Sequence, residues 1–466
     1  MKILTSTLLL CLIAHSNFSQ ENQGAINDNF NPVNGQFINP SNIVDAKPWL
    51  DINFVGASVY GRNNLAYFPN TKWLNFSSLE NDPIFKTDLN TINAIADFDI
   101  KGPAFSLGIG QHSVSLFSGV RGVVNVNKMP GVLAKMASDG GISYSDTGTY
   151  DINNARLKSM VWGEIGFTYG KILVASGDNM LTGAITIKRL FGSQNAAFMV
   201  DDALVRVPDL ENSTLLSTNG KYSYAEPGTD AGRGWGTNIG VTYKKMKENV
   251  NGYVPHSRAS NCKSVDYRYK IGASLLDVGF INFNNNAYFG NFDENTDIDD
   301  VDSFDDLNTE SQSNQQGTSF RAWLPAAASV QFDYNLNDYI YFNGTVVQKV
   351  PLPNTYEVER ANLLALSARF ETKYFGVGLP FTLQNYVNPQ MGFALRIANF
   401  TIGSDNVLPI FFNHNELLSA DIYFSLKHTF YKSPQCKDKK SRKSGSKKRK
   451  RRKGSKRNST DCPAFN

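Results

Sequence analysis

Beyond its first two dozen positions, the 466-residue sequence has no apolar run approaching the roughly 20 residues that a helix needs to cross a bilayer. A helical membrane protein is excluded. Cysteine is scarce: four in all, of which Cys262, Cys436 and Cys462 lie beyond the leader, too few for a disulfide framework. Cys436 and Cys462 are the pair that the tail offers for a single bridge, and pairing is left open. His112, His256, His414 and His428 are scattered with no HExxH spacing, which argues against a zinc site. A Walker loop and a nucleophile elbow are also missing. The sequence therefore assigns no catalysis, cofactor or metal. Asp293 to Glu310 holds nine carboxylates but lacks the glycine of an EF-hand loop, so it reads as a solvated loop.

What is present is a two-residue period. Leu364, Leu366, Ala368 and Phe370 alternate with Ser367, Arg369 and Glu371, and Ile422, Phe424 and Leu426 alternate with Asp421, Ser425 and Lys427. Ala322, Leu324, Ala326, Ala328, Val330 and Phe332 read as one such apolar row, against Arg321, Ser329, Gln331 and Asp333. Side chains alternate faces along a strand, so each segment has one apolar and one polar face. Phe (31), Tyr (20) and Gly (37) complete the composition of a β-rich chain.

Residues 1–19 read as a secretory leader: Lys2, the apolar Thr7 to Ala14, then small residues before Gln20. Residues 20–48 read as an N-terminal plug or strap, 49–431 as the strand-rich body and 432–466 as a tail. Expected long connections (61–97, 127–153, 191–216 with a short helix near Ala196, 248–265, 293–320) fall on one side. Expected short ones (110–112, 171–178, 226–232, 335–338, 372–374) fall on the other. That segregation, with aromatics at strand ends, predicts a closed antiparallel transmembrane β-barrel of 14–16 strands rather than a soluble sandwich. Unpaired backbone in hydrocarbon costs several kcal/mol per group, so the sheet must close.

From Lys432 to Arg457 there are fifteen Lys and Arg against the single acid Asp438, with Lys447, Lys448, Arg449, Lys450, Arg451, Arg452 and Lys453 in one run. Removing these from 46 basic and 42 acidic residues leaves 31 and 41, an acidic body with a cationic tail. Like-charged blocks stay solvated and bind polyanions. The leader argues against nucleic acid and for peptidoglycan or another envelope polyanion.

Asn39-Pro40-Ser41-Asn42, the strand Leu50 to Tyr60, and Gly392-Phe393-Ala394-Leu395-Arg396 through Phe400 to Asn406 carry a resemblance. The chain resembles an uncharacterised family of Bacteroidota outer-membrane barrels, a domain of unknown function distantly related to FadL and PorV. The resemblance implies an N-terminal segment folded into the lumen, about fourteen strands, outer-membrane lipid as surroundings and no defined substrate.

By the alternation, Arg121, Glu164, Arg268, Lys270, Arg321, Arg369, Glu371 and Arg396 share the polar face, where they either line a solute path or pair to fill the interior. Two functions follow as expectations. One is a FadL-like or porin-like passage or receptor for small solutes, gated by residues 20–48. The other is a non-transporting envelope anchor, or a PorV-like assembly protein of type IX secretion that meets secretion or envelope proteins.

Overall fold

The computed structural model describes residues 22–67, 84–85, 91–131, 147–207, 214–294, 315–352, 356–407 and 419–436. The leader, most of the acidic loop, Cys462 and the tail from Lys437 onward, including Lys447 to Lys453, lie outside the described residues.

The polypeptide climbs and descends fourteen times to form one closed antiparallel barrel. The runs are β1 (Leu50–Asn63), β2 (Thr91–Ile109), β3 (His112–Pro130), β4 (Gly148–Ser176) and β5 (Asn179–Val207). Then come β6 (Thr214–Ala225, continued by Gly232–Met246), β7 (Tyr267–Phe283, continued by Ala287–Glu294) and β8 (Gln315–Gly317, Phe320–Trp323 and Ala327–Asn335). β9 (Ile340–Lys349), β10 (Leu363–Glu371), β11 (Phe375–Gln384), β12 (Asn388–Met391 with Phe393–Ile397), β13 (Phe400–Ser404) and β14 (Ser419–Phe430) complete the ring. β1 pairs with β2 on one side and β14 on the other, Leu50 opposite Phe430, so no edge is left open along that seam. The end where β1 starts and β14 finishes is called the base, and the opposite end the rim.

The segments near 217 and 284 are strands, yet they add no crossings. The first part of β6 and the last part of β7 pair with each other and prolong runs already counted. The 191–216 connection is mostly strand: Ala196 pairs with Ser159 and Tyr224, with no helix there. Residues 226–231 interrupt β6 without reversing it, because β5 pairs with both parts of β6 in succession. Removing that reversal puts 247–266 at the base, not among the rim loops. Asn179, beside the tight turn Gly177-Asp178, pairs with Lys245.

Outward rows expose Val330, Phe332 and Tyr334 on β8, and Leu366 and Phe370 on β10, while Ser329, Gln331, Asp333 and Arg369 are buried on the inner face. This sided surface suits lipid outside and polar contacts inside. Near the base, Tyr243, Tyr269 and Phe332 form a chain of neighbouring rings. The alternation breaks at Leu324-Pro325-Ala326, where Pro325 has no ladder donor, so Ala322 and Leu324 turn inward. Cys436 is bonded to Cys262, not to Cys462.

Candidate functional site

The base half of the lumen is filled by residues 22–48. This segment is too rich in Asn, Pro and Gly for a long helix and folds into single turns. Pro32 opens a four-residue helix, and the Asn39 side chain accepts from Ser41 N–H at 3.0 Å to cap the 3₁₀ turn Pro40–Ile43.

Polar contacts fasten this plug to inward-facing wall residues along its whole length. The Gln23 and Gly24 amides donate to the Asp405 carboxylate at 2.6 and 3.1 Å, and Asp421 accepts from the Asp405 and Asn406 amides. Arg396 pairs with Asp28 at 2.5 Å, and Asn29 donates to Glu371 at 2.9 Å. Lys427 donates to Asn31 and to the Phe30 carbonyl, Thr168 to Gln36, and Lys244 pairs with Asp45 at 3.1 Å. The wall also makes room. A Cβ on Gly240 would overlap Asn39 and come within 2.8 Å of Pro40, and one on Gly272 would meet the Asn39 amide at 2.8 Å. These two glycines form the socket into which Asn39 Nδ2 reaches to Gln331 (3.0 Å) and Thr242 (3.3 Å). Two cavities beside the plug measure only about 20 and 40 Å³, space for a few waters.

Rimward of the plug lies a charged layer centred on Asp277. Its backbone is left-handed (φ 55°) at a bulge in β7, which turns both Leu276 and the carboxylate inward. Asp277 receives Lys188 at 2.5 Å, Arg121 at 3.0 Å and Arg360 at 3.3 Å; Glu164 lies 3.4 Å from Lys188. The Arg121 guanidinium stands over the buried Trp162 ring at 5.1 Å. Above it is an apolar cluster including Met160, Trp162, Leu190, Phe283, Phe320 and Leu324. The described part of the β9–β10 connection folds into this half. Val358 is buried in the cluster, and the Glu359 backbone exchanges two hydrogen bonds with the Asn125 side chain of β3, at 2.6 and 3.0 Å.

Arg121 and Glu164 belong to the charged layer. Arg369 bridges Asp333 (2.8 Å) and Glu371 (2.7 Å), and Lys270 stands 3.4 Å from Asp333. Arg396 holds the plug. Arg268 and Arg321 are corrections to the polar row. A bulge between Tyr267 and Tyr269 leaves Arg268 exposed near the base. The slip at Pro325 turns Arg321 outward, its guanidinium 4.2 Å from the Phe280 ring centre. Lys188, Asp277, Arg360 and Asp28 join the site from outside the expected polar row, and Asp405 from the stretch that carries the family resemblance. Lys188 sits two residues beyond Thr186 on a polar row, and Asp277 is a lone carboxylate in Leu275-Leu276-Asp277-Val278, so both carried a signal. Among the described residues no three His, Cys, Asp or Glu groups are placed to hold a metal ion.

A comparison with curated proteins gives no match. Among solved structures, the chain is similar to the toluene transporter TodX of Pseudomonas putida, at 8% identity over 89% of this chain and 93% of that one (TM-score 0.37). A TodX deltaS2S3 mutant, a monoaromatic hydrocarbon channel, gives 8% identity over 90% and 96% (TM-score 0.44). A Pseudomonas aeruginosa FadL homologue gives 9% identity over 89% and 98% (TM-score 0.33). The plugged barrel just described falls within a family match that spans residues 40–405, and the chain belongs to the family of unknown function DUF5723.

Proposed function

We propose that the protein is an outer-membrane barrel that admits or senses small solutes, with the N-terminal plug as its gate. The observation that carries this reading is the way the plug is held. It is fastened by separable hydrogen bonds and ion pairs to wall side chains such as Asp405, Glu371, Arg396 and Lys427. Small apolar clusters at Ala25, Ile26, Val33 and Ile38 add to these contacts, and a body held through many separate contacts can be released without breaking the strand ladder. The two cavities beside the plug, about 20 and 40 Å³, hold only water, so a solute that uses the plug's space needs the plug to shift. The outward apolar rows meet lipid, the base faces the periplasm and the rim the exterior. Neither this reading nor its alternative assigns catalysis.

Planar-bilayer conductance and liposome swelling test it. The full chain is expected to conduct little, and a variant lacking residues 22–48 to conduct steadily. No flux from either sinks the passage.

One observation favours a second reading, an envelope anchor or a PorV-like partner of type IX secretion. The Cys262–Cys436 bond roots the cationic stretch that begins at Lys437 at the base. Salt-sensitive retention on peptidoglycan or anionic vesicles, lost on deletion after Cys436, supports it. Retention unchanged by that deletion removes it.

A further inference from the structure

Residues 247–266 between β6 and β7 form a strap along the base. The Val250 amide donates to Gly177 O at 2.7 Å in the β4–β5 turn, and Gln111 of the β2–β3 turn donates to Tyr253 O at 3.3 Å. Ser433, just past β14, donates to His256 O at 2.6 Å, and Arg258 to Gln435 O at 2.5 Å. The strap therefore touches the base turns of one side of the ring and ends at the finish of the last strand, where Cys262 is bonded to Cys436 across 174 residues of sequence.

Beneath it runs the connection from the plug to β1. Tyr253 Oη donates to Asp45 at 3.1 Å, and His256 Nε2 donates to the Ala46 carbonyl at 2.9 Å. Lys47 pairs with Asp266 at 2.9 Å, and Ile43 and Val44 pack with Val250, Tyr253 and Met246 in one buried cluster. Plug residues 43–47 are thus sandwiched between wall and strap, and the strap is tied at both ends, by peptide at β6 and β7 and by sulfur at β14.

We propose that the Cys262–Cys436 bond makes this strap a thiol-controlled lock on the base of the plug. Cys262 is exposed, so a thiolate from solution can reach it. A dithiol thiolate attacks one sulfur, forming a mixed disulfide and releasing the other cysteine as a thiolate that takes a proton. The second thiol of the reagent then displaces the remaining cysteine, so that two electrons and two protons pass to the protein and the reagent leaves as its own disulfide. In an oxidising compartment the lock stays shut. The inference concerns the strap alone and is read without any solute crossing.

The test is hydrogen–deuterium exchange on the full chain in lipid bilayers, with and without dithiothreitol, reduction being verified by alkylation of two thiols. Exchange at residues 43–47 and 250–261 is expected to rise tenfold or more on reduction, with β2 to β5 unchanged, and to fall again on reoxidation. Cys436→Ser is expected to match the reduced protein and ignore dithiothreitol. If that variant does not fold, folded wild type reduced afterwards decides alone. Complete reduction with no change at 43–47 overturns the lock, and so does a rise spread evenly through the barrel strands, which makes the bond a general staple.

Discussion

Among the described residues, the base and rim halves of the lumen are filled by opposite means. The base half is filled by a separate stretch of chain, residues 22–48, held through polar side chains, glycine sockets and small apolar clusters such as Val33 with Ala104 and Phe117, and Ile26 and Ile38 with Val347 and Leu363. The rim half is filled by the wall itself, Trp162, Leu190, Phe283 and Leu324 over the Asp277 charges, and by the inturned residues around Val358. A filling that comes from elsewhere can be withdrawn and leave the wall intact. One made of the wall's own side chains cannot. The contrast predicts that damage to the rim half unfolds the barrel, while damage to the base half frees the plug.

The largest effect is expected from Asp277→Ala, which leaves Arg121, Lys188 and Arg360 without their common acceptor. With Glu164 left as the one carboxylate beside Lys188 and Arg121, removing this buried partner costs about 3–5 kcal/mol, read as a lower midpoint in urea unfolding from lipid vesicles. A midpoint within error of wild type breaks the comparison at its stronger end. Next comes Val330→Arg, on the outer face, where Val330 is 53% exposed. If hydrocarbon meets this row, the change costs about 2–4 kcal/mol in the same assay, whereas a watery surroundings costs almost nothing.

Gly240→Val tests the base half. Overpacking the Asn39 socket costs about 1–3 kcal/mol, and the plug, not the barrel, should yield. Protease cleavage within 22–48 rises and conductance increases, with the urea midpoint nearly kept. A falling midpoint with a protected plug contradicts the division.

The smallest effect concerns pH at the strap. Burial holds the His256 imidazole below its usual range, despite its hydrogen bond to Ala46 O and the nearby Asp45 carboxylate. The unfolded chain then binds the proton more readily than the folded strap. The strap is fully stable above the ordinary histidine range and weakens as pH falls through it toward the lowered value. The opening equilibrium at residues 43–47, taken as observed exchange divided by the intrinsic amide rate at each pH, should rise severalfold between pH 7.5 and 5.5, and His256→Gln should flatten that response.

Much of this was legible because lipid and lumen impose a strict period of two. Leu364 to Phe370 and Ile422 to Leu426 face outward as their alternation requires. Legibility failed wherever one residue slipped. The bulge at Tyr267/Tyr269 and the break at Pro325 each exchange inside and outside between the residues on their two sides, which puts Arg268 and Arg321 on the outer face. Glu226 to Ala231 carries the Pro and Gly of a hairpin turn, but the chain continues in the same direction there. Local composition does not say whether a strand reverses, so the strap was assigned to the wrong end. The cysteine pairing needed the base to be assembled, since nothing in the spacing of Cys262 and Cys436 brings them together. The plug's partners were half visible: Glu371 and Arg396 stood on the polar row, but Asp28 and Asp405 acquire meaning only once the segment is inside.

β4 and β5 each run for 29 residues, whereas about ten suffice to cross hydrocarbon, and the neighbouring parts of β6 and β7 climb with them. β9, β10 and β11 stop at 10, 9 and 10 residues. Among the described residues the mouth is therefore a cowl, its strands tall on one flank and cut low on the other. If the rim faces the exterior as proposed, whatever arrives there meets a windbreak of strands on one side and a doorstep on the opposite side, so approach has a compass direction before any side chain is touched.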